Sequence, residues 1–183
     1  RQMCIRDSSW SLHVFSSRSR KKNVSGPATV SSDRKGSKRN QMMELSQLYS
    51  DLRAHQISLY LKEIGFSEAA TIEYRGKYAI FLDPVCFSSL RKMKTVLAHE
   101  IGHCATGCTH RISSPLDLIE RHEYKANRWA IERCLPYNAL QDAMREGFRE
   151  PWQLAEYFDL PEEFVHLAIE YYTGPRALCF RDE

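Results

Sequence analysis

The stretch His99-Glu100-Ile101-Gly102-His103 sets two imidazoles one helical turn apart with a carboxylate between them. On a helix, residues i and i+4 project from one face, so both rings can send a nitrogen to a single Zn²⁺ at about 2.0–2.1 Å. Glu100 sits beside that face, free to act as a base. A catalytic zinc takes three protein ligands and keeps a fourth position for water. It lowers the pKa of that water to about 7, where a neighbouring carboxylate can take the proton. The pattern arises by chance in roughly one chain of this size in a few hundred, so context decides what it means.

That context is helical. Ser89 to Cys104 contains no proline and one glycine, near its end, and Leu90, Met93, Leu97, Ile101 and Cys104 recur at three- and four-residue steps. The histidines lie off this apolar stripe. The spacing therefore predicts a helix that packs one side on a core and offers the other to a metal. The competing reading is a buried amphipathic helix with two incidental histidines.

A third ligand must come from elsewhere, and two candidates compete. His110 would suit the arrangement His-Glu-x-x-His-x-x-Gly-x-x-His, in which a glycine turn returns a third histidine to the metal. Here Gly107 lies four residues beyond His103 instead of three, and His110 is correspondingly one late. The other source is a glutamate on a following helix, which Leu116 to Arg133 supplies, with Pro115 in its first turn and Ser113 or Ser114 as cap. Its acidic residues are Asp117, Glu120, Glu123 and Glu132. Glu123 is favoured because Asn127 stands one turn further on the same face, where its carbonyl could accept the second N–H of a metal-bound histidine. Glu120 is the alternative, and a merely solvated or core-satisfied Asn127 is the alternative to that supporting role.

The 183 residues suggest one compact domain with a short appendage. Residues 1–41 hold ten Lys/Arg against two Asp, a net of +8, whereas the remaining 142 hold sixteen Lys/Arg against twenty-one Asp/Glu, a net of −5. The slightly basic total thus describes neither part. With ten serines and few large apolar side chains, residues 1–41 cannot bury enough surface to offset their ordering. They are expected to be a disordered or non-native extension, and residues 42–183 a single domain. The Arg- and Ser-rich, acid-poor composition superficially resembles an organelle transit peptide. Against that, the chain opens on Arg1 with what looks like translated adapter sequence, and Met42 and Met43 stand directly before the first helical pattern, which points to a start there. A basic nucleic-acid-binding arm is the functional alternative.

No apolar run follows the basic start as a secretory signal would require, and no stretch is long enough to cross a bilayer. Cys4, Cys86, Cys104, Cys108, Cys134 and Cys179 lack a disulfide-framework spacing, which predicts reduced thiols in a cytoplasmic protein. Cys104 and Cys108 raise the idea of a second metal site; packing cysteines near a helix end are the simpler reading.

A coarse pass gives the order of elements. Leu45 to Ile64 reads as a helix with a Gly65 stop, and Thr71 to Tyr74 and Lys77 to Leu82 as strands of a tight hairpin around Arg75-Gly76. The metal helix and the Glu123 helix follow. Pro136 then breaks the pattern before three short helices, roughly 137–147, 151–159 and 161–173. The fold class is α+β, with a short β-sheet and a mainly helical C-terminal half. Lys77 to Leu82 is further expected to be an exposed edge along which an extended substrate could pair.

Thr95-Val96-Leu97-Ala98-His99-Glu100-Ile101-Gly102-His103, followed by Glu123-Tyr124-Lys125-Ala126-Asn127-Arg128-Trp129-Ala130 and Cys134-Leu135-Pro136, resembles the ImmA/IrrE family of metallopeptidases. The family pairs a Leu-Ala-His-Glu-Leu-Gly-His helix with a Glu-x-x-Ala-Asn/Asp-x-Phe-Ala segment, and the resemblance spans residues 43 to about 172. Ile101 and Trp129 depart from the usual Leu and Phe, both as apolar exchanges. The resemblance implies a zincin-like domain with zinc ligands His99, His103 and Glu123 and with Glu100 as catalytic base. It also implies an endopeptidase whose partner is a helix-turn-helix repressor of a phage or mobile element. The run from Gln153 to Val165 has a helix-turn-helix cadence of its own, but without a Lys/Arg cluster it reads as a packing or protein-recognition element and not as a DNA reader.

The mechanism these residues suggest is peptide hydrolysis without a covalent intermediate, with Tyr124, His122 and Tyr137 as candidate second donors to the negative oxygen. The rival is a zinc-containing binding or regulatory domain that sequesters or senses without cleavage. The presence of Glu100 argues against it, because a structural site needs no base and usually fills all four positions with protein ligands. A hydrolase of some non-peptide amide is a further alternative.

Overall fold

The computed structural model describes residues 2–5, 43–109 and 114–178. In chain order its elements are β1 (Gln2–Ile5), α1 (Leu45–Ala54), β2 (Ser58–Leu61), β3 (Ala69–Tyr74), β4 (Lys77–Leu82), a 3₁₀ turn at Pro84–Cys86, and α2 (Leu90–Ala105). The helices α3 (Leu116–Cys134), α4 (Tyr137–Arg145), α5 (Pro151–Phe158) and α6 (Glu162–Thr173) complete it. This is the expected α+β, zincin-like layout: one short sheet and a mainly helical second half. His110, the alternative third ligand, lies outside the described residues, as does the expected disorder of residues 1–41 except at Gln2–Ile5, which forms a strand.

Arg75 and Gly76 both take positive φ, 52° and 74°, as a two-residue type I′ hairpin turn requires. The turn sets the register of β3 on β4, with Tyr74 opposite Lys77 and Ala69 opposite Leu82. The sheet order is β1-β3-β4-β2, and only the β2–β4 pair is parallel.

Two expectations are corrected in this half. The first helix does not run to Ile64 but ends at Ala54. Gln56 adopts a left-handed φ of 55°, its N–H bonds to the Arg53 carbonyl, and the Ile57 N–H bonds to the Leu52 carbonyl. That is a Schellman end built on glutamine where glycine is usual, with apolar Ile57 and Leu52 at the two positions that such an end brings together. The chain then returns as β2 alongside β4. In consequence Lys77–Leu82 is not an edge: β3 lies on one side of it and β2 on the other.

Helix α2 begins at the N-cap Ser89, whose side chain accepts from the Lys92 N–H. Every residue of α2 from Lys94 to Cys104 is buried, which is more than the one-sided burial its apolar stripe suggests. Its apolar face joins Leu48, Leu52, Ile80 and Leu82 in the core, and its other side is covered by α3. The cover is possible because Gly102 has no side chain: a Cβ there would lie 2.7 Å from the carbonyl oxygen of Ala126. At the start of α3, Pro115 occupies the cap position without a side-chain cap. Helices α4 to α6 bury Leu140, Leu154, Phe158, Phe164 and Val165 in the same core, together with Leu160 from the link between α5 and α6. The apolar side of the helix-turn-helix-like stretch is thus committed to packing.

Asp159 ends α5 at a left-handed φ of 53° and ties α5 to α2, accepting from Lys94 Nζ at 2.7 Å and Arg91 Nε at 2.6 Å. Burial works against its charge, but the Lys94 and Arg91 hydrogen bonds outweigh it and hold the carboxyl below its ordinary range. A depressed carboxyl contributes stability above its unfolded pKa of about 3.9 and loses it as pH falls through the lower folded value. Asp159→Asn keeps a residue that tolerates the left-handed backbone but takes the carboxylate from Lys94, whose side chain is 5% exposed and is left with the Met43 carbonyl at 3.4 Å. We expect urea unfolding at pH 7 to show a loss of about 2–4 kcal/mol, and the gap from the native chain to narrow progressively as pH falls below about 3.9. A gap independent of pH would assign the loss to packing.

Candidate metal centre

Helix α2 presents His99 and His103, and α3 presents Glu123, so that one ligand atom from each lies within 4.8 Å of the others. The two Nε2 atoms are 3.0 Å apart, Glu123 Oε2 is 3.4 Å from His99 Nε2, and Glu123 Oε1 is 3.3 Å from His103 Nε2. Ligands on a tetrahedral zinc at 2.0–2.1 Å stand about 3.3 Å from one another. The spacing is that of a ligand set around a small ion.

The tautomers point the same way. His103 Nδ1 lies 3.0 Å from the carbonyl oxygen of Cys108. A carbonyl can only accept, so this nitrogen carries a proton, and in the neutral imidazole Nε2 keeps its lone pair inward. His99 Nδ1 lies 2.8 Å from Asn127 Oδ1, which has the same effect. Two inward lone pairs and a carboxylate therefore converge in a buried place, an arrangement that calls for positive charge. Burial alone would lower the pKa of His103, but the Glu123 hydrogen bond and the charges of Glu100 and Glu123 outweigh it and raise the pKa. The donor set, two imidazoles and one carboxylate, is the one a catalytic zinc uses.

The carbonyl that fixes His103 is placed by the end of α2. Gly107 takes φ 62°, the Gly107 N–H bonds to the Cys104 carbonyl, and the Cys108 N–H bonds back to the His103 carbonyl at 2.9 Å. Cys108 and His103 thus hold each other twice. Gly107, read in the sequence as a misplaced ligand turn, is instead the left-handed residue of a Schellman end.

Glu100 is buried on the same helix, and its Oε2 accepts a hydrogen bond from Thr71 Oγ1 on β3 at 2.5 Å. Sequence reasoning missed Thr71, because threonine is an ordinary strand residue. It also missed the Cys108 carbonyl, since a backbone group leaves no mark on residue type. Glu120 is exposed and outside the converging set. Of the three candidate second donors, Tyr137 packs on the ring of Tyr172 and Tyr124 faces Tyr171 from an exposed position. His122 is the one in the field of the site: burial, Lys125 and His103 lower its pKa against the pull of Glu123.

The model of the IrrE N-terminal-like domain, peptidase family M78, matches residues 54–170, well over half of the chain. The chain belongs to this family. Neither the curated proteins nor the solved structures contain a significant match. The M78 match covers α2 and α3 entire, and with them all the residues described above on those helices. As a member of a metallopeptidase family, the chain is expected to hold a metal, and among the described residues His99, His103 and Glu123 are the group able to hold one. Cys104 and Cys108 are buried, form no disulfide among the described residues, and lie outside that group.

Proposed function

We propose that this M78 protein is a zinc-dependent endopeptidase in which His99, His103 and Glu123 hold the metal and Glu100 is the base. The observation that carries the reading is a second carboxylate, the buried Glu100, beside a three-donor set. A metal kept only for structure has no use for it. When bound, the zinc supplies Lewis acidity toward a water and the scissile carbonyl. Glu100 takes the proton from water as its oxygen bonds to the carbonyl carbon, and delivers that proton to the amide nitrogen as the C–N bond breaks. Asn127 and the Cys108 carbonyl keep the imidazoles in their working tautomers.

The substrate implied by the family resemblance is a helix-turn-helix repressor of a phage or mobile element, met in the cytoplasm. No described helix is long and apolar enough to cross a membrane. An extended segment of the substrate cannot add to β4, both of whose sides are taken, nor to β3, whose outer side is occupied as well. Gln2–Ile5 pairs antiparallel on that side, with Cys4 opposite Thr71.

The test is metal removal. The purified chain is stripped with a chelator, and each form is incubated with the repressor encoded beside its gene while fragments are followed by mass spectrometry. Cleavage is expected from the native form, loss of it after stripping, and recovery with Zn²⁺. Repressor that stays intact but remains bound by every form would replace the peptidase reading with the binding one.

A further inference from the structure

We propose that Thr71 is a positioning residue for the base: its hydroxyl fixes Oε2 of Glu100 and so leaves Oε1 as the oxygen that takes the proton. Thr71 is fully buried on β3, between Ala70 and Ile72 in sequence, and opposite Ile80 of β4 on one side and Cys4 of β1 on the other. A strand paired on both sides is a rigid mount. Its Oγ1 has a single proton to give, and that proton goes to Glu100. Valine would fill the same volume without burying a hydroxyl, a burial that is unfavourable unless the hydroxyl is bonded. The effect of threonine here therefore lies in the bond and not in the packing.

The consequence follows from how a glutamate works. Its carboxyl ends a flexible side chain, and a base is useful only while one oxygen is kept within reach of the water it deprotonates. Helix α2 fixes the Cα of Glu100, but nothing along the helix itself holds the far end. Thr71 supplies that second point from a different layer of the fold. Sheet and helix together set the base, so its aim depends on β3 as well as on the motif.

The proposal rests on Glu100 being the base, and its test separates the two. In the full-length zinc-loaded chain, affinity for acetohydroxamate is measured by calorimetry; this chelator hands a proton to a carboxylate beside the metal and needs no turnover. Thr71→Val is expected to weaken it about tenfold or more, as loss of a hydrogen bond to a charged group does, with zinc content and melting temperature near those of the native chain. Thr71→Ser restores most of the affinity. The double variant Thr71→Val/Glu100→Gln binds no more weakly than Glu100→Gln alone. On a cleaved substrate the same valine lowers kcat with KM within about twofold. Native affinity in Thr71→Val, or a serine variant as weak as the valine, overturns the role of Thr71. Native affinity in Glu100→Gln overturns the base itself.

Discussion

Glu100→Gln is expected to lower kcat by about 10³–10⁴-fold while the zinc content stays that of the native chain. The amide has the shape of the carboxylate but cannot accept a proton at working pH, so both halves of the proton relay stop at one position. The loss corresponds to about 4–5 kcal/mol of barrier. The converging donor atoms on His99, His103 and Glu123 are untouched by the exchange, and the hydrogen bonds that orient the two imidazoles come from Asn127 and Cys108, not from Glu100. Elemental analysis together with a time course of substrate cleavage checks both parts. A variant that keeps its zinc and still cuts at the native rate would remove Glu100 from the mechanism.

Gly102→Ala is expected to loosen the metal by tenfold or more and to destabilise the fold, against the sign that helix propensity alone gives. In an ordinary helix interior, alanine stabilises by roughly 1 kcal/mol over glycine. Here the new Cβ would meet the Ala126 carbonyl oxygen at 2.7 Å and the Ala126 Cα at 3.1 Å, both backbone atoms of α3 that cannot rotate away. The helices must separate, at an overpacking cost of about 1–3 kcal/mol that exceeds the propensity gain. Ala126 is one turn from Glu123 and adjacent to Asn127, so the displacement carries both away from the histidines. Urea unfolding of the stripped chain and competition with a zinc chelator read the two effects separately. A stripped variant more stable than the native chain, with unchanged zinc affinity, would show that α2 and α3 have room to spare.

The parts of this fold that were legible in the sequence are those where residue type and backbone need agree. Arg75-Gly76 between alternating residues marked the hairpin, prolines marked the starts of α5 and α6, and the His99/His103 spacing marked a helix with a purpose. The place of Glu123 beside the two histidines was legible because the following helix offered carboxylates, and Asn127 one turn on favoured this one among them. Strand β2 was not legible. Apolar residues at 48, 52, 57, 61 and 64 imitate a helical stripe, and the break between them sits on Gln56, a residue that does not advertise a left-handed backbone. Missing β2 in turn made β4 look like an edge. Thr71 and the Cys108 carbonyl went unseen for a different reason: each acts on α2 from outside it, and no spacing within one segment records a contact made across the fold.

The reciprocal hold between His103 and Cys108 gives the end of α2 a second meaning. Fraying of the last turn would break the Cys108 N–H bond and withdraw the carbonyl from His103 Nδ1 in one event. His103 and a helix terminus are here a single cooperative unit. Occupancy of the centre then becomes visible at a backbone amide: the Cys108 N–H should exchange with deuterium far more slowly once zinc is bound, and the slowing reports how firmly the ion holds the helix closed.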